Sequence, residues 1–331
     1  MAEWLYEAGI GEARAALVVG ERIIEAHIEP DDGSLRAGTV CMAQLTQITV
    51  PGRRGLVRVA TGQDALLEPL PKGLTQGGTV RVEIVRDAIA EPGAVKRSKA
   101  RVASPDAALC LGPSLLDRMA TSSYPIRHLL PSDPDALETA GWSECLEDAA
   151  SGTVAFIGGA LRISLTPAMT LIDVDGHLPP AALAVAAARA AAAAIRRFDI
   201  TGSIGVDFPT LANKAERLAT VATFDSALPL PFERTSINGF GFLQVIRPRL
   251  RASLCERLEY EAAPCAARAL LRRAQRSGVI GTARLSAHPD VITTFDARPE
   301  WIATLSAQMG GTIDLHADPA LAIGSGYVAK I

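Results

Sequence analysis

The sequence predicts an α/β (α+β) chain, and three observations carry that reading. Two short apolar runs, 169–173 and 204–207, each stop at an acid and bracket a long alanine-rich stretch. Short apolar runs bounded by Gly and Pro read as buried strands, and the alanine-rich run between them reads as helix. Upstream, over 37–101, short alternating runs are punctuated by Gly turns, the pattern of a small β-barrel. Downstream of residue 263, helix and strand patterns alternate again. At 331 residues, 48% of them hydrophobic, the chain is long enough for two or three domains with substantial cores.

In chain order, 15–19 and 22–28 read as a hairpin about Gly20-Glu21, and 1–36 is assigned to the start of a core. Runs at 39–48, 55–59, 65–67 and 79–85 follow, with turns at Pro51-Gly52 and Lys72-Gly73. Strands of this kind over 37–101 fit a five-stranded OB-like barrel, an architecture that binds oligonucleotides through aromatic platforms and basic grooves. This segment contains no Phe, Tyr or Trp. Its candidate RNA contacts are cations: Arg58, and Lys96, Arg97 and Lys99 in a basic tail. Such a charge run is also the mark of a solvated face. Residues 102–152, rich in Pro, are assigned as a connecting segment with short helices at 135–140 and 143–150. A hairpin over 153–165, turning at Gly158-Gly159, feeds the first acidic strand.

A helix over Pro180–Arg197 spans about 27 Å at 1.5 Å per residue, enough for the flanking strands to pair in parallel. Strands joined this way end at one edge, where ligands of open α/β sheets bind. Asp173, Asp175 and Asp207 therefore share a rim. Neighbouring carboxylates repel unless a cation neutralises them, and hard oxygen ligands suit Mg²⁺ or Mn²⁺. The same acids would also serve as helix caps or loop residues. A helix at 211–222 leads towards Arg247, Arg249 and Arg251, which alternate around Pro248. In an extended segment they share a face, either as a phosphate groove or as an edge guarded against aggregation. The acidic strands and these arginines make 153–254 the candidate catalytic part. Residues 255–331 read as a small α+β domain with helices at 265–277 and Pro299–Met309 and strands at 281–287 and 312–317.

The net charge of −3 means that any polyanion binding must come from local basic clusters. Five cysteines without a CxxC pair read as small buried hydrophobes in a reducing compartment, with no zinc knuckle. The N-terminus lacks a signal-type apolar segment, and no run reaches the roughly 18 apolar residues of a membrane span. The expectation is a cytoplasmic protein with no membrane partner.

Three motifs in order resemble the catalytic half of the bacterial ribonuclease E/G family. LIDVDG at 171–176 is similar to that family's AIDVNSG, GSIGVDFPT at 202–210 to its GGLIVIDFIDM, and INGFGFLQVIRPR at 237–249 to the segment that follows. The barrel is placed like the family's S1 domain, inserted in an RNase H-like/DNase I-like core, and the C-terminal piece resembles its small domain. The resemblance implies Mg²⁺-dependent endonucleolytic cleavage of single-stranded RNA (an rRNA precursor or mRNA), leaving 5′-phosphates. It makes Asp173 and Asp207 the metal ligands and Asp175 a supporting catalytic residue, with RNA carried by the cations named above. The alternative it leaves is an RNA-binding protein of the same fold with attenuated or lost cleavage.

The departures are specific. Asp175 stands where the family has Asn, Gly176 and Leu178 replace its Ser and Arg, Thr210 replaces a second Asp, and the intervening helix is mostly alanine. Val57 and Leu66 or Leu67 lie where the barrel's stacking aromatics would be. Residues 102–152 are too short for the family's 5′-end sensor. The zinc-link motif is absent, so no zinc and no zinc-linked tetramer are expected, and a homodimer stays open.

Overall fold

The computed structural model describes residues 2–331. The alanine-rich run is a helix over Pro180–Arg197. Pro180 sits in the first turn, where a missing N–H leaves nothing unpaired, alanine has the highest helix propensity, and Arg196 and Arg197 face the C-terminal carbonyls. Ala184, Ala187, Ala188 and Ala191 recur on one buried face, and their small size lets the helix lie close to the Lys214–Ala227 helix and to the sheet beneath. That second helix begins later than the expected residue 211 because Asn213 is its cap, accepting from the Glu216 N–H.

The sheet under these helices has six strands in the order Thr153–Phe156, Gly159–Leu165, Thr170–Gly176, Gly202–Asp207, Phe242–Arg247 and Glu233–Arg234. Its one parallel pair is Thr170–Gly176 with Gly202–Asp207, the two strands joined by the crossover helix. Alternation sorts the side chains. Ile172, Ile204, Val206, Leu243 and Val245 are buried, whereas Asp173, Asp175 and Asp207 are exposed on the opposite face.

The barrel strands are Val40–Val50, Arg54–Val59, Asp64–Leu67, Thr79–Arg86 and Ser98–Val102. They close into a ring in which the first three are sequential neighbours and the last two complete the circuit. Leu45, Val57, Leu67, Val82, Ile84 and Ala100 fill it. Gly55 makes room there: a Cβ would lie 2.6 Å from the Leu45 Cδ1, and that buried side chain would have to shift. The basic tail, expected as a loose charge run, is the closing strand: Ser98 and Ala100 are buried, while Lys99 and Arg101 lie outside.

The chain divides into two units. The barrel and the six-stranded sheet belong to one, made of 33–121 and 151–256. The other gathers the residues up to 32, 122–150 and 257–331, so the expected N-terminal hairpin and C-terminal piece share it. Its four-stranded sheet runs Ile126–Leu129, Ala2–Ala8, Glu12–Val19, Arg22–Pro30, and its three-stranded sheet runs Ile313–Ala317, Ala283–Ala287, Tyr327–Lys330. Residues 102–152, expected as a connector, hold the helices Leu115–Ala120, Ala136–Thr139 and Trp142–Ser151 besides the Ile126–Leu129 strand. That strand pairs in parallel with Ala2–Ala8, a partner more than a hundred residues away that local periodicity does not reveal.

On the Ala262–Arg276 helix, Arg268, Arg272 and Arg276 recur every four residues, along one stripe. Arg272 and Arg276 both reach Glu7, at 2.7 and 2.5 Å, and Arg268 reaches Glu12 at 2.7 Å. Arg14, 2% exposed, completes the network on Glu7 and Glu12, and Asp135 takes Arg272 at 2.6 Å. Burial alone would raise the Glu7 pKa, but hydrogen bonds from Arg272 and Arg276 and the charges of Arg272 and Arg14 outweigh it and hold the carboxyl below its ordinary range.

Candidate active site

The end of the parallel strand pair is where the acids meet. Asp173 and Asp207 are direct register partners, which puts their backbones one strand spacing, about 4.8 Å, apart and their side chains on the same exposed face. Asp173 accepts a hydrogen bond from the Val174 N–H at 3.0 Å. Neither acid has an ion-pair partner within salt-bridge distance among the described residues.

Asp175 lies two residues further along the same face and is engaged. The Arg162 Nε donates to its Oδ2 at 2.6 Å. Arg162 is the register partner of Asp173 on the neighbouring strand, so a row of Arg162, Asp173, Asp207 and Phe242 crosses four strands. The hydrogen bond and charge of Asp175, with the charge of Asp173 adding to them, raise the Arg162 pKa and keep the guanidinium ionised. Arg162 is a site residue that sequence reading passed over. Its signal was available: the tight turn at 166–169 sets Leu165 opposite Thr170, and counting back in register reaches Arg162 opposite Asp173.

Beyond Asp207, the INGFGF segment forms a turn rather than continuing a strand. The Asn238 Oδ1 accepts from the N–H groups of Phe240 and Phe242 at 2.9 and 3.1 Å. Gly241, at φ +99°, lies so close to the Phe208 carbonyl that a Cβ would sit 2.1 Å from it. The turn is thereby pinned to the residue that follows Asp207. Phe242, opposite Asp207, lays its ring over Gly205, where a Cβ would come within 2.5 Å of the ring. Phe240 projects from the turn and is 84% exposed.

The three arginines, expected to share one extended face as a groove or a guarded edge, are distributed otherwise. The strand ends at Arg247, so alternation does not extend to Arg249 and Arg251. Arg247 donates to the Ile200 carbonyl at 2.9 Å, Arg249 to Glu256 at 2.5 Å and Arg251 to Asp199 at 3.5 Å. Arg247 pairs with Gly202 at the far end of the strand that closes on Asp207. Five residues at about 3.3 Å each separate these ends by about 17 Å.

Of the barrel cations expected to contact RNA, Arg58, Lys96 and Lys99 are matched locally. Arg58 makes two hydrogen bonds to Asp64, at 2.8 and 3.0 Å. Glu68 gathers Lys99, Arg54 and Arg53 at 3.2, 3.1 and 3.5 Å, and hydrogen bonds from Lys99 and Arg54 lower its pKa. Lys96 takes Glu91 at 2.8 Å. Arg97 lends its carbonyl to Arg86, and its charge helps to lower the Asp64 pKa after the larger effect of the Arg58 hydrogen bond.

Among the described residues no three His, Cys, Asp or Glu side chains converge as a ready metal-ligand group. With Asp175 held by Arg162, the rim offers the pair Asp173 and Asp207. The other unit contains a cavity of about 960 Å³ between the Trp142 and Arg272 helices. Of the arginines that line it, Arg14, Arg272 and Arg276 belong to the Glu7 and Glu12 network and are matched there, and Arg273 donates to the Gly324 carbonyl at 3.3 Å. Among the described residues no helix is long and apolar enough to cross a membrane. A comparison with models of known protein families finds no match to this chain, and a comparison with curated proteins likewise finds none.

Proposed function

We propose that this chain is a Mg²⁺-dependent endoribonuclease of the ribonuclease E/G type that cuts single-stranded RNA and leaves 5′-phosphate ends. The observation that supports it is the register pairing of Asp173 with Asp207 on an exposed sheet end. Mg²⁺ is usually held by one or two carboxylates, with water and substrate phosphate completing the shell, and two exposed acids on adjacent strands fit that requirement. A Mg²⁺ bound there, or Mn²⁺ in its place, would supply a Lewis acid and a water of lowered pKa.

The chain's own groups have distinct parts in this reading. Arg162, fixed by Asp175, presents a planar guanidinium beside Asp173 and orients the scissile phosphate. The acid at 175 does not add an uncompensated charge against that phosphate, because the same guanidinium neutralises it. Phe240 offers an exposed ring on which a base stacks next to the cut, and Asn238 holds the turn that carries it. The five-stranded barrel then corresponds to an S1-type domain, the six-stranded sheet to the DNase I-like part and the four-stranded sheet to the RNase H-like part.

Cleavage of an end-labelled, A/U-rich single-stranded RNA, with and without Mg²⁺ and beside Asp207→Asn, tests the proposal. Metal-dependent cutting that the substitution abolishes is the expected result. A second reading, an RNA-binding protein of the same fold with attenuated or lost cleavage, is favoured by the engagement of Asp175, which leaves two free acids at the rim. Salt-sensitive RNA binding without cutting would select it, and the absence of both would remove both.

A further inference from the structure

At the junction between the barrel and the six-stranded sheet, Arg86 has no carboxylate within ion-pair distance among the described residues. The backbone N–H of Asp87 donates to the Leu250 carbonyl at 2.8 Å, so Arg86 at the end of its barrel strand and Arg249 beyond the sheet strand are brought side by side. Arg249 lies along Gly202, whose missing Cβ leaves 3.1 Å to the Arg249 Cδ. The carboxylates nearby are engaged elsewhere: the Asp87 Oδ1 accepts from the Ala37 N–H at 2.6 Å. Lys96 takes Glu91 at 2.8 Å and Arg249 takes Glu256 at 2.5 Å. Arg86 is left with a backbone carbonyl, that of Arg97, at 2.7 Å.

The nitrogens tell the same story. The Nε atoms of Arg86 and Arg249 are buried and without a hydrogen-bond partner, in a protein interior where such groups are normally satisfied. Burial, and then the like charge of Arg249, lower the Arg86 pKa, while Glu91 opposes them. An acceptor carrying negative charge would answer the orphan donors and the unpaired Arg86 guanidinium together.

We propose that Arg86, with Arg249, forms an anion site that takes one backbone phosphate of a single-stranded RNA. The assignment rests on the RNA reading above and adds to it a second grip on the strand. The site lies at the Gly202 end of the strand that finishes at Asp207, about 17 Å from the acidic rim at about 3.3 Å per residue. A bound strand is then held at two separated points, and the register between them fixes which linkage reaches Asp173 and Asp207.

The test is the salt dependence of affinity for an RNA of about 16 nucleotides, measured in EDTA so that no cutting intervenes, for wild type, Arg86→Gln and Arg86→Lys. Loss of one phosphate contact should flatten the log–log slope of Arg86→Gln by about 0.7 and weaken binding about tenfold. Arg86→Lys keeps the charge, so it should retain the slope while binding more weakly. In parallel, the arginine Nε–H resonances of the protein are followed on adding inorganic phosphate, and the signal that Arg86→Gln deletes should be the one that shifts. Wild-type slope in Arg86→Gln, with its melting temperature unchanged, overturns the site while leaving RNA binding intact. A phosphate-induced shift in a protein that does not bind RNA overturns the RNA assignment, and no shift with no RNA binding overturns both.

Discussion

Arginine and carboxylate are assembled twice in this molecule, to opposite ends. In one unit Glu7, Glu12 and Asp135 meet Arg14, Arg268, Arg272 and Arg276 in the interior, and each acid accepts from at least one guanidinium. At the acidic rim of the other, one pair is closed, Arg162 with Asp175, and two acids stand open beside it. Buried ions must be paired, because an uncompensated charge in the interior costs far more than it could return. Exposed acids on adjacent strands can stay unpaired, since water screens them until a cation arrives. Burial therefore separates charges that hold a fold from charges available for chemistry.

Breaking the buried set should have the largest effect. Glu7→Gln removes the carboxylate on which Arg14, Arg272 and Arg276 converge, and removal of one member of a buried ion network costs about 3–5 kcal/mol. Urea unfolding should show that loss, and a loss below about 1 kcal/mol would mean that the network behaves as a surface one. The pH dependence has a definite sign. Glu7 titrates below its ordinary 4.5 and Asp135 below 3.8, so the folded state holds fewer protons there than the unfolded chain. Their contribution is complete above those values and drains away as the pH falls through the lower folded ones. Glu7→Gln should lose that part of the acid sensitivity.

The open set should respond in activity and not in stability. Asp207→Asn is expected to reduce cleavage by at least about 100-fold, the upper range for groups that merely support metal ligands, while melting within about 2 °C of wild type, as an exposed substitution should. Unfolding of the variant would instead make Asp207 a structural acid.

The contrast between the two sets also explains what the sequence could show. The helix Pro180–Arg197 and the acids that flank it are local features, carried by alanine propensity and by the length needed to return a strand, and they were legible. So were four of the five barrel strands, from alternation and Gly turns. The fifth was hidden because Lys96, Arg97, Lys99 and Arg101 mask the inward alternation of Ser98 and Ala100. The partners of the arginines were out of reach. Glu7 and Arg276 are 269 residues apart, and Arg86 and Arg249 meet where Asp87 and Leu250, each past the end of a strand of a different sheet, share a backbone hydrogen bond. Residue type announces a charge, but only the fold says whether it is spent. At Arg247, Arg249 and Arg251 the regular alternation suggested one groove, and the end of the strand at Arg247 dispersed it.

A smaller effect is predicted for the ring beside the rim. Phe240 is exposed and held in a turn capped by Asn238, a position with no core to support. Phe240→Ala should weaken RNA binding by about 1–3 kcal/mol, the usual contribution of one stacked base, and leave the melting temperature unchanged. A raised KM at constant kcat would place the base contact in the ground state as well as the transition state. Gain of stability with unchanged affinity would mean that the ring is an unpartnered hydrophobe and nothing more.

The smallest effect should come from Arg58, which by residue type is as good a phosphate ligand as any in the chain. Its guanidinium is fully committed to both Asp64 oxygens, and to reach a phosphate it would have to leave them. An Arg58→Gln substitution leaves Asp64 uncompensated and makes the local charge one unit more negative, but salt screens that charge from phosphates bound beyond the Debye length of about 8–10 Å. Its salt slope for RNA binding should stay within about 0.2 of wild type, well under the 0.7 or so that one lost phosphate contact would give. The double variant Arg58→Gln, Asp64→Asn should match it. A full-sized change in Arg58→Gln would show that RNA displaces Asp64, and that a paired surface arginine can be as available as an open one.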